Sequence, residues 1–320
     1  MKILVTGSSG FIGYHLSKSL LDDGNVICGI DNMNNYYDIR LKKERLKNLK
    51  KYNNFKFHEI NLINSNALKS IFKKFSPEIV VNLGAQAGVR HSINNPMDYL
   101  DSNLIGFVNV LDNCKRSNVR GLIYASSSSV YGSNTKIPFD VDDKTDNPVS
   151  MYAATKKSNE LLANSYSHIH NLNVTGLRFF TVYGPWGRPD MAYFSFTNNI
   201  IDGKPINVFN EGKMQRDFTY IDDIIEGTKT AIKKNYRCEI FNLGNNKPVK
   251  LMDFISILEK EIGIKAQIKF QPMQRGDVKT TFANIDYSEK KLNYEPKTSI
   301  EKGLKNFISW YKSYYSLKIN

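Results

Sequence analysis

Short apolar runs alternate with longer amphipathic segments over the first 180 positions of the chain. Runs such as Ile79-Val80-Val81 have no polar face, which is typical of parallel strands covered by helices on both sides. The runs predict strands at 2–6, 25–30, 55–58, 79–83, 122–126 and 174–179, and the segments between them predict helices at 11–21, 41–51, 65–75, 99–116 and 151–168. This alternation predicts an α/β fold with a doubly wound, Rossmann-like parallel sheet.

The alternation becomes irregular after residue 180, where a segment rich in glycine and proline, 184–189, predicts a break. Beyond this break, the clearest helices are predicted at 222–233 and 252–262. We therefore expect a larger domain, 1–180, and a smaller domain, 181–320, which is interwoven with the first and separated from it by a cleft.

Composition narrows the class of protein. The 320 residues are 41% hydrophobic, which is enough for a sizeable core. The cysteines Cys28, Cys114 and Cys238 are widely spaced, so neither a disulfide framework nor a zinc site is expected. No leader-like or membrane-spanning apolar run is evident, and we expect a soluble cytoplasmic protein without a membrane partner.

The net charge of +13 raises the question of a nucleic-acid partner. The lysines are dispersed along helices, as in 41–51, where Glu44 and Asn48 interrupt them. This mixture favours solvated helix faces over a nucleic-acid site. The general positive potential would still attract an anionic substrate.

A glycine-rich loop follows the first predicted strand and opens the first predicted helix. Gly7 permits the tight turn, Gly10 lets a pyrophosphate approach the backbone, and Gly13 allows close helix–sheet packing. Asp31 ends the second predicted strand, where a carboxylate would bind the adenosine ribose. Because this carboxylate would repel a 2′-phosphate, the pattern predicts NAD as the cofactor.

Tyr152 and Lys156 are four residues apart on a predicted helix and therefore neighbours. An ammonium beside a phenol would lower the pKa of the phenol. The serine run 126–129 offers a hydroxyl that positions a substrate hydroxyl. With the glycine loop, these groups predict transfer of a proton and a hydride at a carbinol carbon.

Several segments resemble those of one enzyme family: GSSGFIG from Gly7, GAQAGVRHS from Gly84, YASSSSVYG from Tyr124, YAATK from Tyr152, RFFTVYGPWGRPDMA from Arg178 and RDFTYIDD from Arg216. They are similar to the extended short-chain dehydrogenase/reductases, the NAD-dependent epimerases and dehydratases of nucleotide sugars. The resemblance covers essentially the whole chain. Its last three segments are most similar to the epimerases that act at carbon 4 of UDP-glucuronate.

The resemblance implies that Tyr152 is the acid/base, that Lys156 binds the nicotinamide ribose and lowers the pKa of Tyr152, and that Ser127 bonds the sugar 4-hydroxyl. It implies a retained NAD and a transient 4-keto sugar. The implied cofactor contacts are Gly7, Gly10, Phe11, Ile12, Gly13, Asp31, Asn32, Asn61, Leu62, Gln86, Tyr152 and Lys156. Asn61 stands where the family usually has an aspartate at the adenine, and its side-chain oxygen can still accept a hydrogen bond.

The resemblance also assigns domain 1–180 to NAD and domain 181–320 mainly to the UDP-sugar. The implied substrate contacts are Ser128, Ser129, Thr181, Arg188, Arg216, Arg275 and Asp277, and Arg275 replaces the expected proline. A homodimer through helices 99–116 and 151–168 is implied as well.

Alternatives remain within the family and outside it. A dehydratase or decarboxylase needs carboxylates where Ser128 and Ser129 stand, so an epimerase is favoured. Arg188 favours a uronate over UDP-N-acetylglucosamine or UDP-glucose, because an arginine fork matches a carboxylate. A non-catalytic NAD-binding sensor is the alternative from another class. His168 and His170 do not share a helix face, so no metal site is expected.

Overall fold

The computed structural model describes residues 1–273 and 278–317. Its first half alternates strands and helices: β1 (Lys2–Thr6), α1 (Phe11–Asp22), β2 (Val26–Asp31), α2 (Ile39–Leu49), β3 (Phe55–Glu59), α3 (Ser65–Phe75), β4 (Ile79–Asn82), α4 (Val89–Asn94), α5 (Pro96–Tyr99), a π-helical segment (Leu100–Ile105), α6 (Gly106–Arg116), β5 (Gly121–Ser127), a 3₁₀ turn (Ser128–Tyr131), α7 (Met151–His170) and β6 (Val174–Phe179).

The second half is less regular. Its elements are β7 (Thr181–Tyr183), α8 (Ala192–Ile201), β8 (Ile206–Phe209), a 3₁₀ turn (Asn210–Gly212), β9 (Gln215–Tyr220), α9 (Ile221–Lys234), β10 (Cys238–Leu243), β11 (Pro248–Lys250), α10 (Leu251–Ile262), β12 (Ile268–Gln271), β13 (Thr280–Thr281), α11 (Asp286–Leu292) and α12 (Ile300–Tyr314).

Seven parallel strands form the main sheet in the order β10-β6-β5-β4-β1-β2-β3. Apolar side chains on its two faces, such as Val5 and Leu4, belong to two separate buried clusters. The predicted doubly wound parallel sheet is therefore confirmed. Its strand order reverses beside β1, and ligands bind at such a reversal in open α/β sheets.

The predicted helix 99–116 runs without a break, but it is not α-helical throughout. A π-helical segment separates α5 from α6, and it contains the buried Asn103. Asn103 donates to the hydroxyl of Thr155 on α7 at 3.0 Å and to the carbonyl of Gln86 at 3.0 Å. These long-range bonds give a reason for the π segment. Its wider turn directs the Asn103 side chain to a position that a regular α-helix would not reach.

The chain returns to the main sheet after residue 180. Strand β10 pairs with β6, from Cys238 beside Val174 to Leu243 beside Phe179, and α9 packs on α1. The remaining C-terminal strands form smaller sheets, in which β9 pairs with β7, β11 and β13, and β8 pairs with β12. The division at residue 180 stays a prediction.

Candidate active site

A cavity of about 750 Å³ lies where the loops after the main-sheet strands meet β7, β9 and α8. Every predicted site residue within the described ranges lines this cavity. Arg275 and Asp277 lie outside the described residues.

The loop between β1 and α1 forms a cradle. Gly7 has a left-handed φ of +69°, and a Cβ at Gly13 would lie 2.1 Å from the Gly7 carbonyl oxygen. Gly10 begins α1 without a side-chain cap, and no acidic residue occupies the first turn. The first amides of α1 therefore lack a side-chain acceptor, as required for binding a pyrophosphate.

Asp31 lies at the end of β2 and is buried at the edge of the cradle. Its carboxylate accepts hydrogen bonds from the amides of Ser9, at 3.2 Å, and Met33, at 2.9 Å. Sequence reasoning missed Lys42, whose buried ammonium lies 3.6 Å from Asp31. This lysine reduces the repulsion that Asp31 alone would exert on a 2′-phosphate.

Gln86 presents an unsatisfied donor. Its backbone is held by Asn103, which accepts from the Gln86 amide at 2.8 Å and donates to the Gln86 carbonyl. The side-chain Nε2 of Gln86 is buried without a hydrogen-bond partner in the wall of the cavity. A ligand acceptor would satisfy this donor, so the glycine cradle, Asp31 and Gln86 together fit a bound dinucleotide.

Tyr152 and Lys156 project from α7 towards the end of β5. Ser150 caps α7 by accepting from the Ala153 amide at 3.1 Å. Lys156 donates to the carbonyl of Ala125 at 2.9 Å, and Ser127, at the end of β5, is the side chain that acts most to lower the pKa of Tyr152. The helix thus brings both side chains to one strand end.

Burial dominates the protonation of this pair. It raises the pKa of Tyr152, although the Ser127 hydrogen bond and the charge of Arg188 act to lower it. It lowers the pKa of Lys156 to about 8. The ammonium of Lys156 lies 6.0 Å from the centre of the Tyr152 ring, and the groups that act to lower the pKa of Tyr152 here are Ser127 and Arg188, so the role of Lys156 in lowering this pKa stays a prediction.

A buried ion pair anchors α7 to the sheet. Arg178 of β6 forms a two-pronged contact with Glu160 of α7, at 2.9 and 3.0 Å, and Ser126 donates to Glu160 at 2.6 Å. Sequence reasoning missed this pair. The sequence does contain a signal for this pair, because Arg178 lies within a predicted apolar strand. A charge buried there needs a partner of opposite charge.

Arg188 meets an acidic side chain inside the cavity. Its Nε lies 3.1 Å from Asp190, and its Nη2 bonds the second oxygen of the same carboxylate. Tyr36 donates to Asp190 at 3.3 Å. Burial acts to lower the pKa of Arg188, but Asp190 outweighs it and raises that pKa, so the guanidinium stays charged. Sequence reasoning missed Asp190, although it is two residues from Arg188.

Arg216 and Thr181 also line the cavity. Arg216 lies on β9 and donates to the carbonyls of Gln215 and Lys279 at 2.9 and 3.2 Å. Its neighbour Asp217 is buried and accepts from backbone amides that include Ala283, at 3.0 Å. These bonds fix the strand that carries Arg216.

The described residues lack two features, a metal-binding cluster and a membrane-spanning helix. Neither 1–273 nor 278–317 contains a group of three or more side chains placed to hold a metal ion. No helix in the same two ranges is both long and apolar enough to cross a bilayer.

The fold and the cavity define the class: a dinucleotide-binding α/β enzyme with a serine, a tyrosine and a lysine at one strand end. Residues 3–244 match the NAD dependent epimerase/dehydratase family. The chain belongs to this family, which confirms the predicted resemblance and the predicted use of NAD.

Individual relatives match over nearly the whole chain. UDP-glucuronate 4-epimerase 4 of Arabidopsis thaliana is 48% identical, over 98% of this chain and 76% of the relative. Protein CapI of Staphylococcus aureus is 48% identical, over 98% and 99%. The crystal structure of UDP-glucuronic acid 4-epimerase from Bacillus cereus, in complex with UDP-glucuronic acid and NAD, is 35% identical over 98% of this chain and 100% of that chain, with a TM-score of 0.93.

Proposed function

We propose that this protein is an NAD-dependent 4-epimerase that interconverts UDP-glucuronate and UDP-galacturonate. The observation that carries the proposal is that Ser127, Tyr152, Lys156 and Arg188 line one cavity together with the glycine cradle. Relatives named as UDP-glucuronate 4-epimerases over nearly the full chain support the same substrate.

Tyr152 moves the proton of the sugar 4-hydroxyl. Ser127, which acts to lower the pKa of the phenol, bonds the sugar hydroxyl when the substrate is present. Lys156 is fixed to the Ala125 carbonyl, from which it reaches the nicotinamide ribose. When bound, NAD would supply a reversible acceptor for the hydride of carbon 4. A hydride returned to the opposite face of the 4-keto sugar would invert carbon 4 without net redox change.

The carboxylate of the substrate needs its own anchor. A 4-keto uronate is a β-keto acid, which can break the bond between carbon 5 and the carboxyl carbon, release CO₂ and leave the electron pair as an enolate. This cleavage requires that bond to align with the carbonyl π system. Arg188, with the hydroxyls of Ser128, Ser129 and Thr181, would hold the carboxylate out of alignment.

The uridine diphosphate end is assigned to the C-terminal elements. Arg216 lines the cavity on β9, and Arg275 and Asp277 follow β12 in the sequence. We propose that residues 181–320 mainly bind the nucleotide sugar and that 1–180 mainly bind NAD.

A neutral sugar is the second candidate substrate. Asp190 already neutralises Arg188, so the cavity wall does not carry an unbalanced positive charge at this point. A UDP-glucose or UDP-N-acetylglucosamine 4-epimerase would be compatible with this pairing. A non-catalytic sensor would not require the Ser127, Tyr152 and Lys156 arrangement.

We further propose a cytoplasmic homodimer that forms through α6 and α7. Leu161 on α7 is 57% exposed, and Ile105 beside α6 is 50% exposed. Exposed large apolar side chains on neighbouring helices favour a protein–protein contact.

A panel of UDP-sugars tests the substrate. Purified protein without added cofactor is incubated with UDP-glucuronate, UDP-glucose or UDP-N-acetylglucosamine, and the 4-epimers are followed by NMR. UDP-galacturonate should form fastest. Faster conversion of either neutral sugar would replace the proposed substrate, and no conversion of any sugar would favour the sensor.

A further inference from the structure

Arg45 is a completely buried cation on α2. Its Nη1 donates to the carbonyl of Ser9 at 3.1 Å and to the hydroxyl of Tyr37 at 2.7 Å. Its Nη2 donates to the carbonyls of Trp186 at 2.5 Å and Gly187 at 2.9 Å. All four acceptors are neutral.

Three of these acceptors belong to two functional loops, and the fourth, Tyr37, lies just before α2. Ser9 lies in the glycine cradle, and Trp186 and Gly187 directly precede Arg188 in the chain. One planar guanidinium therefore spans the cofactor loop and the loop that carries the proposed carboxylate ligand. A planar fork with several donors can hold two sets of acceptors in fixed relative positions, which a lysine ammonium cannot do equally well.

The second loop needs external support. Trp186 has a φ of +59°, a left-handed conformation that is unusual for a bulky residue. A Cβ at Gly187 would lie 1.8 Å from the Tyr193 hydroxyl. His15 of α1 adds one further contact, with Nε2 2.9 Å from the Pro185 carbonyl. Because burial lowers the pKa of His15 to about 4, the ring is neutral near pH 7.

The energetic cost of this arrangement is informative. Burying a guanidinium among neutral groups is unfavourable compared with filling the same space with apolar atoms. The hydrogen bonds to both loops are the compensation available at this position. These hydrogen bonds fix the distance between the cradle and Arg188. This distance matters because reaction rates fall steeply when reacting groups are misplaced by an ångström.

We propose that Arg45 is a positioning residue that couples the cofactor loop to the Arg188 loop. It fixes the position of the NAD pyrophosphate site relative to the sugar carboxylate site. The proposal rests on the proposed function for its substrate side. The contact of Arg45 with the cofactor loop and its contact with the Arg188 loop can both be tested without any substrate.

The test uses Arg45→Lys, which keeps the charge but not the fork, and Arg45→Met, which removes both. Arg40→Met is the matched control, since Arg40 lies on the same helix with a side chain that is 80% exposed. If Arg45→Met does not fold, Arg45→Lys decides by the same criteria. All variants are also made with Trp310→Phe, so that emission reports Trp186 alone among the two tryptophans.

Three quantities are measured. The dissociation rate of bound NAD should rise about tenfold or more in the Arg45 variants, as expected for lost charged hydrogen bonds. Acrylamide quenching of Trp186 in the NAD-loaded protein should also increase. With UDP-glucuronate, the ratio of CO₂-releasing turnover to epimerisation should rise. This ratio does not depend on the fraction of active enzyme, so partial misfolding would not change it.

The outcomes separate the alternatives. A folded Arg45 variant with a lower melting temperature but wild-type NAD dissociation and wild-type quenching would overturn the proposal. A change in only one of these two would also overturn it, because Arg45 would then serve one loop. If the wild type does not epimerise UDP-glucuronate, the proposed function fails, while NAD dissociation and quenching still decide the role of Arg45.

Discussion

At the scale of single residues, the proposed acid/base is the most direct target. Tyr152→Phe should lower kcat by about 10²–10⁴-fold, because it removes the only atom proposed to move the proton. UDP-sugar binding and the melting temperature should change little, since the ring contact with Tyr99 remains. Tyr166→Phe on the same helix is the control and should keep wild-type kcat. A Tyr152→Phe enzyme with wild-type turnover would refute the assignment.

Lys156 allows a prediction about pH and stability in the protein freed of NAD. Its pKa is lowered to about 8 from an ordinary value near 10.5, so folding is opposed by the buried charge below pH 8. Lys156→Met should therefore stabilise the protein at pH 7 by up to about 3 kcal/mol. The gain should shrink as the pH rises from 8 to above 10.5, where the lysine is neutral in both states. Urea unfolding at pH 7 and pH 10 measures this difference, and an equal gain at both would contradict the assigned burial.

Arg188 carries the choice of a uronate. Arg188→Ala should lower kcat/KM for UDP-glucuronate by about ten- to a hundredfold, the amount expected for one lost charged hydrogen bond. UDP-glucose provides the internal control, because it lacks the carboxylate: its kcat/KM should fall only by the part that follows from the raised pKa of Tyr152, which is less than the loss for UDP-glucuronate. Residual turnover of the uronate should release more CO₂. Equal losses for both sugars would remove Arg188 as a carboxylate ligand.

At the scale of elements, the glycine cradle is sensitive to one added carbon. Gly13→Ala would place a methyl group 2.1 Å from the Gly7 carbonyl oxygen, so α1 must move away from β1. We expect this variant to purify without NAD, whereas the wild type purifies with it. Gly24→Asn, in a left-handed turn with open space, is the control and should retain NAD. The nucleotide released on denaturation is assayed, and recovery of NADP from the wild type would contradict the cofactor assignment.

Sequence reasoning located those elements and those parts of the site that depend on local patterns. Apolar runs specify the buried strands, and the spacing of Tyr152 and Lys156 specifies one helix face. Other features that it missed depend on distant contacts, although the pairing of Arg188 with Asp190 does not: the π segment follows the bonds of Asn103 to Gln86 and Thr155, and no spacing rule predicts those. Arg45 illustrates the same limit, since its acceptors Ser9 and Trp186 lie 36 and 141 positions away.

At the scale of the whole molecule, the exposed apolar side chains of Leu161 on α7 and Ile105 beside α6 predict self-association. Leu161→Glu should convert a dimer into monomers, because it would place a charge in an apolar contact. Light scattering across a concentration series measures the mass. Phe270→Glu, at an equally exposed apolar position on β12, is the control and should leave the mass unchanged. A wild type that is monomeric at all concentrations would remove the dimer proposal.

The position of β10 has a consequence for synthesis on the ribosome. The edge of β6 remains uncovered until residues 238–243 have left the exit tunnel, because these residues supply the final strand of the main sheet. A nascent chain in which β6 has emerged and β10 has not would therefore expose backbone donors and acceptors along the apolar strand Val174–Phe179, the kind of edge that aggregates. The main sheet is begun early in synthesis but completed late. Until β10 pairs with β6, this edge is open to any chaperone or other chain that binds extended apolar segments.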